Sequence, residues 1–311
     1  MHKKGRKNWW RPRASRIGGI SGTILCYMYY IMLTLHFVWI SFVAYALSAV
    51  SKFVPVHGFC GPAIKMNDLI YVFCSAYRKS NLRAYEVSIP HDLLMITHIE
   101  EFIISQEMVG IEKTSTVYIS HLIRWSGCIW KIDTLNNKVE EWLSNVGFWF
   151  HLSIASDDQI LILRVFVDPL FMIYDQNAKL VRSFSLPYDC IECHPFIAIQ
   201  KPNGEFIVSH GKEKDNGTFI SFLSMDGQTI NQFSVKEDVD FKDLRLFIDK
   251  EDNNLFAFEE VFGNLFLINP KTLIWIEIGR LQGVRLYYDS EKKHFIETVS
   301  DSVHIWKFNK N

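Results

Sequence analysis

"VYISHLIRWSGCIWKIDTLNNKVEEWL" (117–143) and "ILILRVFVDPLFMIYDQNAKLVRSFSL" (160–186) follow one plan: an apolar strand, a polar connection, a second apolar strand, a tight polar turn and a final strand. The plan returns in "EFIVSHGKEKDNGTFISFLSMDGQTINQFSV" (205–235) and "LFAFEEVFGNLFLINPKTLIWIEIG" (255–279). "IYVFCSAYRKSNLRAYEVSIPHDLLMI" (70–96) fits in front of them, and a shorter unit, "HFIETVSDSVHIWKFN" (294–309), ends one strand early. A further short strand precedes the units, as in "FHLSIASD" (150–157), "PFIAIQKPNG" (195–204), "LRLFIDKED" (244–252) and "VRLYYDSEK" (284–292). Each unit therefore holds four strands.

These β-rich runs, punctuated by Asp, Asn, Gly and Lys, lack the long amphipathic helices that an α/β fold would need. An acidic or amide residue closes the third strand at Asp133, Asp175, Asp226, Asn269 and Asn309, a period of about 40–50 residues that matches propeller blades. A four-stranded sheet has two apolar faces and cannot cover both alone, whereas packing in a ring covers both. The predicted fold is all-β, a six-bladed β-propeller of four-stranded antiparallel blades over 52–311. The N-terminal "SKFVPVHG" (51–58) is expected to supply the outer strand that the last unit lacks, latching the ring with its own two ends.

Ahead of the repeats, Lys3, Lys4, Arg6, Lys7, Arg11, Arg13 and Arg16 make a basic tail (1–17) without an acid. From Ile17 to Ser51 there is no Lys, Arg, Asp or Glu, and "ILCYMYYIMLTLHFVWISFVAYA" (24–46) would extend about 34 Å as a helix. A transmembrane helix over 18–49 is expected, acting as a signal anchor. Ala44-Tyr45-Ala46 has the small-x-small form of a cleavage site, but the run is longer than a signal peptide needs. The bases before it place the N-terminus in the cytoplasm and the large domain in the lumen or outside, a single-pass type II arrangement. Beyond residue 51 the balance is acidic, which argues against nucleic acid as a partner.

The order of "VYISHLIRWSGCIWKID", "PFIAIQKPNGEFIVSHG" and "RLFIDKEDNNLFAFEEVFGNLFLINP", then "RLYYDSEKKHFIET", resembles NHL-repeat-type six-bladed propellers over residues 60–309. The usual Val-Ala-Asp after the second strand has become "AFEE" (257–260). The resemblance implies a binding platform: a membrane-anchored module for a protein, peptide or glycan, with no cofactor, metal or catalytic residue assigned. The alternative is a calcium-dependent lactonase or arylesterase, since membrane-tethered propellers of that kind exist. Their calcium ligands, carried over, would fall at Phe150-His151, His194-Pro195, Leu244 and Gly283-Val284, where Asp243 is the one nearby acid.

Single motifs are sparse. "CIECH" (190–194) has the C-x-x-C-H form of c-type haem attachment, yet it stands at a blade boundary with no sign of an axial ligand or helical wrap. Cys190 and Cys193 are read as loop thiols or a local disulfide, and Cys74 and Cys128 as buried strand thiols. Asn216-Gly217-Thr218 is a glycosylation sequon in a polar connection. His151, His194 and Asp243 are candidates for the channel mouth, with His210 near them. Glu259-Glu260 are read as solvated loop charges.

Overall fold

The strands follow the repeat read from the sequence. The computed structural model describes residues 45–53, 59–76, 79–86, 93–99, 107–123, 126–147, 150–164, 170–186, 198–211, 218–235, 244–272, 274–283, 285–299 and 302–310. A first strand, β1 (Tyr45–Phe53), precedes blade one, which comprises β2 (Phe59–Met66), β3 (Leu69–Ala76), β4 (Lys79–Glu86) and β5 (Leu93–Ile99). Blade two is β6 (Met108–Ile111), β7 (Thr116–Ile123), β8 (Ser126–Asp133) and β9 (Lys138–Gly147). Blade three is β10 (Phe150–Ile154), β11 (Ile160–Arg164), β12 (Leu170–Tyr174) and β13 (Leu180–Ser185). Blade four is β14 (Ala198–Gln200), β15 (Phe206–Gly211), β16 (Thr218–Leu223) and β17 (Thr229–Ser234). Blade five is β18 (Leu244–Ile248), β19 (Leu255–Glu259), β20 (Asn264–Ile268) and β21 (Trp275–Arg280). Blade six combines β22 (Arg285–Asp289), β23 (His294–Val299) and β24 (Ser302–Lys310) with β1 at its outer edge.

The latch expected of the N-terminus is therefore present but lies earlier than "SKFVPVHG" suggested. It starts at Tyr45, and Asn309 Nδ2 donates to Ser48 Oγ at 2.8 Å where the two ends of the propeller meet. Tyr45–Ala49 are strand, so the helix expected over 18–49 is corrected at its C-terminal end. The rest of that expected helix lies outside the described residues, among which no helix is long and apolar enough to cross a membrane. Tyr45–Asn309 form one compact unit.

The innermost strands touch in the order β2, β6, β10, β14, β18, β22 and back to β2, which closes a six-bladed ring. Between each pair of neighbouring blades lies one apolar cluster. Ile64, Met66 and Phe73 of blade one meet Val117 and Ile119 of blade two, for example, and Phe256 and Phe258 of blade five meet Phe295 and Phe308 of blade six. Phe256 is wholly buried with edge-on rings at Phe295 and Phe308, and such a side chain contributes about 2–3 kcal/mol by its burial. The closing seam between blades six and one has an apolar cluster too, built on Val72, Tyr85, Ile296 and Ile305. It also carries a buried ion pair, Lys65 Nζ to Asp289 Oδ2 at 3.0 Å.

Turns repeat along with strands. Asp133, Asp175 and Asn269 each accept two backbone N–H bonds through Oδ1, closing the turn between third and fourth strands. In blade four this work falls to Ser224, whose Oγ accepts from Gln228 N–H at 3.1 Å, rather than to Asp226. Cys74 and Cys128 are buried, as expected of strand thiols.

Candidate functional site

All six inner strands run the same way along the ring, so their first residues converge on one face, called the upper face here. Ring position then decides which side chains can meet at the channel mouth. Glu107 immediately precedes β6, and its backbone is clamped by Ser120: the Ser120 Oγ accepts the Glu107 N–H at 2.8 Å and donates to the Glu107 carbonyl at 3.2 Å. The Glu107 carboxylate turns into the mouth and is almost wholly buried.

Two blades supply its partners. His151, second residue of β10, places Nδ1 2.6 Å from Glu107 Oε1, and the Leu152 N–H donates to Oε2. From the opposite side, Arg245 on β18 brings Nη1 to 3.8 Å from Glu107 Oε1, while its Nε pairs with Glu260. Burial alone would raise the Glu107 carboxyl; His151, Arg245 and the Leu152 N–H overcome that and hold it below the ordinary glutamate range. Arg285, first residue of β22, belongs to the same group. Burial pushes its guanidinium down to about 10, with repulsion from Arg245 adding to the shift and attraction to Glu107 opposing it.

Glu297 on β23 binds the chain just ahead of β22. Its Oε1 accepts the N–H groups of Gln282, at 2.5 Å, and Gly283, and its Oε2 accepts Trp306 Nε1 at 2.8 Å. A side chain at Gly283 would collide with Glu297, its Cβ falling 2.5 Å from the Glu297 Cγ. A buried carboxylate thus holds the backbone at Gln282 and Gly283.

Beside the mouth, β19 and β20 are joined by a turn at Glu260–Gly263. It leaves Val261 and Phe262 exposed, 61% and 51% of their surface open. Arg280 Nε donates to the Phe262 carbonyl at 2.9 Å and Leu281 N–H to the Gly263 carbonyl at 2.8 Å, so this apolar knob is held rigidly. Glu259 and Glu260 are corrected here from solvated loop charges. Glu259 ends β19 fully buried and accepts Asn264 Nδ2 at 2.9 Å, and Glu260 faces Arg245. The strand runs further than the acidic pair suggested, and burial of a charge requires such partners.

Of the sequence-based candidates, His151 reaches the mouth. His210 does not join it: it is buried inside blade four, Nε2 2.8 Å from Ser221 Oγ, with Gln232 Nε2 donating to the same oxygen at 2.9 Å. His194, Asp243, Asn216, Cys190 and Cys193 lie outside the described residues. Glu107, Arg245 and Arg285 were missed. A signal for the two arginines existed, because a basic residue inside an apolar inner strand ("LRLF", "VRLYY") must find an anionic partner when buried.

Calcium is a poor fit to the described part of this mouth. The ion takes about 6–8 oxygen ligands, several of them carboxylate or amide. Glu107 already accepts from His151 and Leu152, and a cation beside it would sit against Arg245 and Arg285. Among the described residues no three His, Cys, Asp or Glu side chains converge as a metal site.

No protein-family model and no curated protein matches the sequence. By fold the chain is similar to virginiamycin B lyase from Staphylococcus aureus, at 8% identity and a TM-score of 0.55 over 85% of this chain and 99% of that one. It is also similar to a gluconolactonase-like protein, at 11% identity and a TM-score of 0.57 over 85% and 92% of the two chains. A third likeness is to the propeller of Dos1, at 9% identity and a TM-score of 0.52 over 84% and 95%. At such identities the shared feature is the six-bladed fold.

Proposed function

We propose that the protein is a membrane-tethered propeller of NHL-repeat type that binds a protein, peptide or glycan through its upper face and catalyses no reaction. The observation that carries this reading is the Glu107–Arg245 contact at the channel mouth, which with His151 commits the Glu107 carboxylate to cationic partners rather than to a metal ion. Propeller enzymes of the lactonase type need that mouth open and lined by oxygen ligands. The rigid Val261–Phe262 knob beside it supports a surface that meets a partner, since exposed aromatic residues held in place bind with little ordering cost.

Support for tethering comes from the basic tail and the uncharged run from Ile17 to Ser51, and a translocated propeller would make the sequon at Asn216 a glycosylation site. The hydrolase reading has the fold likeness to a gluconolactonase-like protein in its favour and the commitment of Glu107 to His151 and Arg245 against it.

A pair of measurements on the full-length chain tests the proposal. In sealed microsomes, protease should remove only the N-terminal tail, and Asn216→Gln should abolish any glycan-dependent mobility shift; digestion of the propeller would reverse the orientation. The purified protein should leave a lactone and an aryl ester unhydrolysed with or without calcium. Calcium-dependent turnover of either would overturn the binding-only assignment.

A further inference from the structure

Turns at the lower face, opposite the channel mouth, share a feature that polar turn chemistry does not call for. Leu135, Leu180, Met225 and Ile274 stand in or beside the turn between third and fourth strands of blades two, three, four and five, each with between 46% and 75% of its surface open. A single exposed apolar side chain carries no meaning, but recurrence at one place in the repeat builds a rim. Successive blades are related by rotation about the ring axis, so equivalent turns lie at one level. The turns are also held firmly. Asp133, Asp175 and Asn269 close three of them by accepting backbone N–H groups. In the fourth, Ser224 N–H donates to the Gln228 carbonyl and Arg182 Nη1 to the Met225 carbonyl, both at 2.8 Å. Side chains set in place beforehand meet a partner with little loss of freedom.

In blade six the chain itself takes the place of that turn. β24 ends at the lower face, and Asn309 near its end bonds to Ser48 near the start of β1, so β1 runs back upward and begins, at Tyr45, on the level of the rim. The chain that carries the uncharged run thus enters the ring where the four apolar side chains project. Opposite charges share the turns, Asp133 with Lys138 and Asp175 with Lys179, so the rim calls for apolar contact and not for an anionic surface.

We infer that the lower rim rests on the surface of a lipid bilayer, with Leu135, Leu180, Met225 and Ile274 dipping into its headgroup region and the upper face turned away from it. The inference rests on the tethered reading and adds how the propeller stands on the membrane. A tether entering at the level of the rim keeps lipid at a high effective concentration there, so four side chains that would bind a free bilayer weakly are enough to set the orientation. The upper face, with its Val261–Phe262 knob, then points to the solvent, where a partner can reach it.

The test uses the full-length chain in phosphatidylcholine nanodiscs that contain a phospholipid with a photoactivatable diazirine, either in its headgroup or at the end of an acyl chain. Modified positions are mapped by peptide mass spectrometry. The acyl-chain probe should label the run 17–44. The headgroup probe should label the turns at 133–138, 175–180, 224–228 and 269–274 at least about fivefold more than the upper turn at 260–263. A variant combining Leu135→Glu, Leu180→Glu, Met225→Glu and Ile274→Glu, checked for native circular dichroism, should lose at least about fivefold of the headgroup labelling at those turns while 17–44 stays labelled. Equal labelling of the lower turns and of 260–263 in the parent chain would overturn the inference without any variant. So would unchanged labelling in the folded Glu variant, which would mean that the tether alone brings the rim near lipid. Discs that hold two chains with the lower turns unlabelled would assign the rim to a second copy, also against the inference. A run 17–44 that the acyl-chain probe leaves untouched would instead remove the tethered reading beneath it.

Discussion

Glu107 and Arg245 come from the second and fifth blades, three places apart in a ring of six, and their side chains meet at 3.8 Å across the channel mouth. Opposite blades seldom need a direct tie, since each is held by its two neighbours. This contact therefore makes Glu107 a common partner of blades three and five. Replacing Glu107 with Gln keeps the shape and one acceptor for the Leu152 N–H but removes the charge that His151 and Arg245 face. Breaking a buried pair on one side costs about 3–5 kcal/mol. A loss of about 3 kcal/mol is expected for Glu107→Gln, read as a lower urea midpoint at unchanged slope.

Acid should act through the same carboxylate and through Asp249. In Asp249, burial opposes ionisation, but the N–H groups of Asp252 and Glu251, the Tyr288 hydroxyl and Lys293 outweigh it, so its carboxyl too lies below the ordinary range. Both groups ionise more readily in the fold than in the unfolded chain, where their ordinary values are 4.5 for Glu and 3.8 for Asp. The stability they contribute is present above those values and is lost as pH falls through the lower folded ones. Thermal unfolding followed from pH 7 to pH 2 should fall gently below about 6.5, where protonation of His294, held below its ordinary value by burial, favours the unfolded chain, and steeply below about 4.5, with Glu107→Gln flattening the upper part of the steep fall.

The seam between blades six and one offers a cleaner test of ring closure. Lys65 and Asp289 are both buried there at 3.0 Å, and Asp289 Oδ1 also accepts the N–H groups of Glu291 and Lys292. Lys65→Met leaves a buried carboxylate without its cation and should cost about 3 kcal/mol. Adding Asp289→Asn removes that stranded charge while keeping an acceptor for the turn, so the double variant should recover at least about 1 kcal/mol over Lys65→Met alone. Additive losses in a denaturation cycle would mean that the pair is not coupled.

The blades were legible because each repeats an alternating apolar code with a turn acceptor at a fixed place, and a code read six times corrects its own noise. Where one blade uses a different atom for the same job the code misleads: Ser224 supplies in blade four the oxygen that Asp133 and Asp175 supply elsewhere, so a search for acids landed on Asp226. The latch strand was misplaced for another reason. An outer strand that is half covered and an apolar span have the same composition, so nothing in "VAYALSAV" (43–50) marks Tyr45 as the boundary. At the mouth, His151 was visible as a polar residue inside an apolar strand. Its partner Glu107 was not, because it precedes a strand of only four residues, and Arg245 reaches it from a blade whose proximity only ring closure creates.

Gly263 should tolerate no side chain. Its φ is +75°, a left-handed value at which a Cβ is strained, and that Cβ would fall 2.0 Å from the Leu281 carbonyl oxygen. The contact is with backbone, so it cannot be relieved by a rotamer change. Gly263→Ala is expected to cost at least about 2 kcal/mol and to loosen the Val261–Phe262 turn. Denaturation gives the first effect. Faster amide hydrogen exchange at Gly263 and Leu281, whose N–H groups bond to Glu259 and Gly263, gives the second.

The boundary at Tyr45 predicts where the chain can be shortened. A protein beginning at Tyr45 keeps all four strands of every blade, so its thermal midpoint should match that of the full-length chain within about 2 °C. A protein beginning at residue 54 lacks β1 altogether. Blade six would then end at β24 with its outer backbone groups unpaired, Asn309 would lose Ser48, and Leu47 would no longer pack against the blade five and six cluster beside Gly279. An open, long strand edge of this kind invites pairing with another chain. The shorter protein should unfold at least 10 °C lower and should elute in part as oligomers on size exclusion, because several hydrogen bonds and a packed side chain are lost at the closure of the ring, about 3 kcal/mol or more in all. Equal stability of the two truncated chains would mean that β1 decorates blade six rather than latching it.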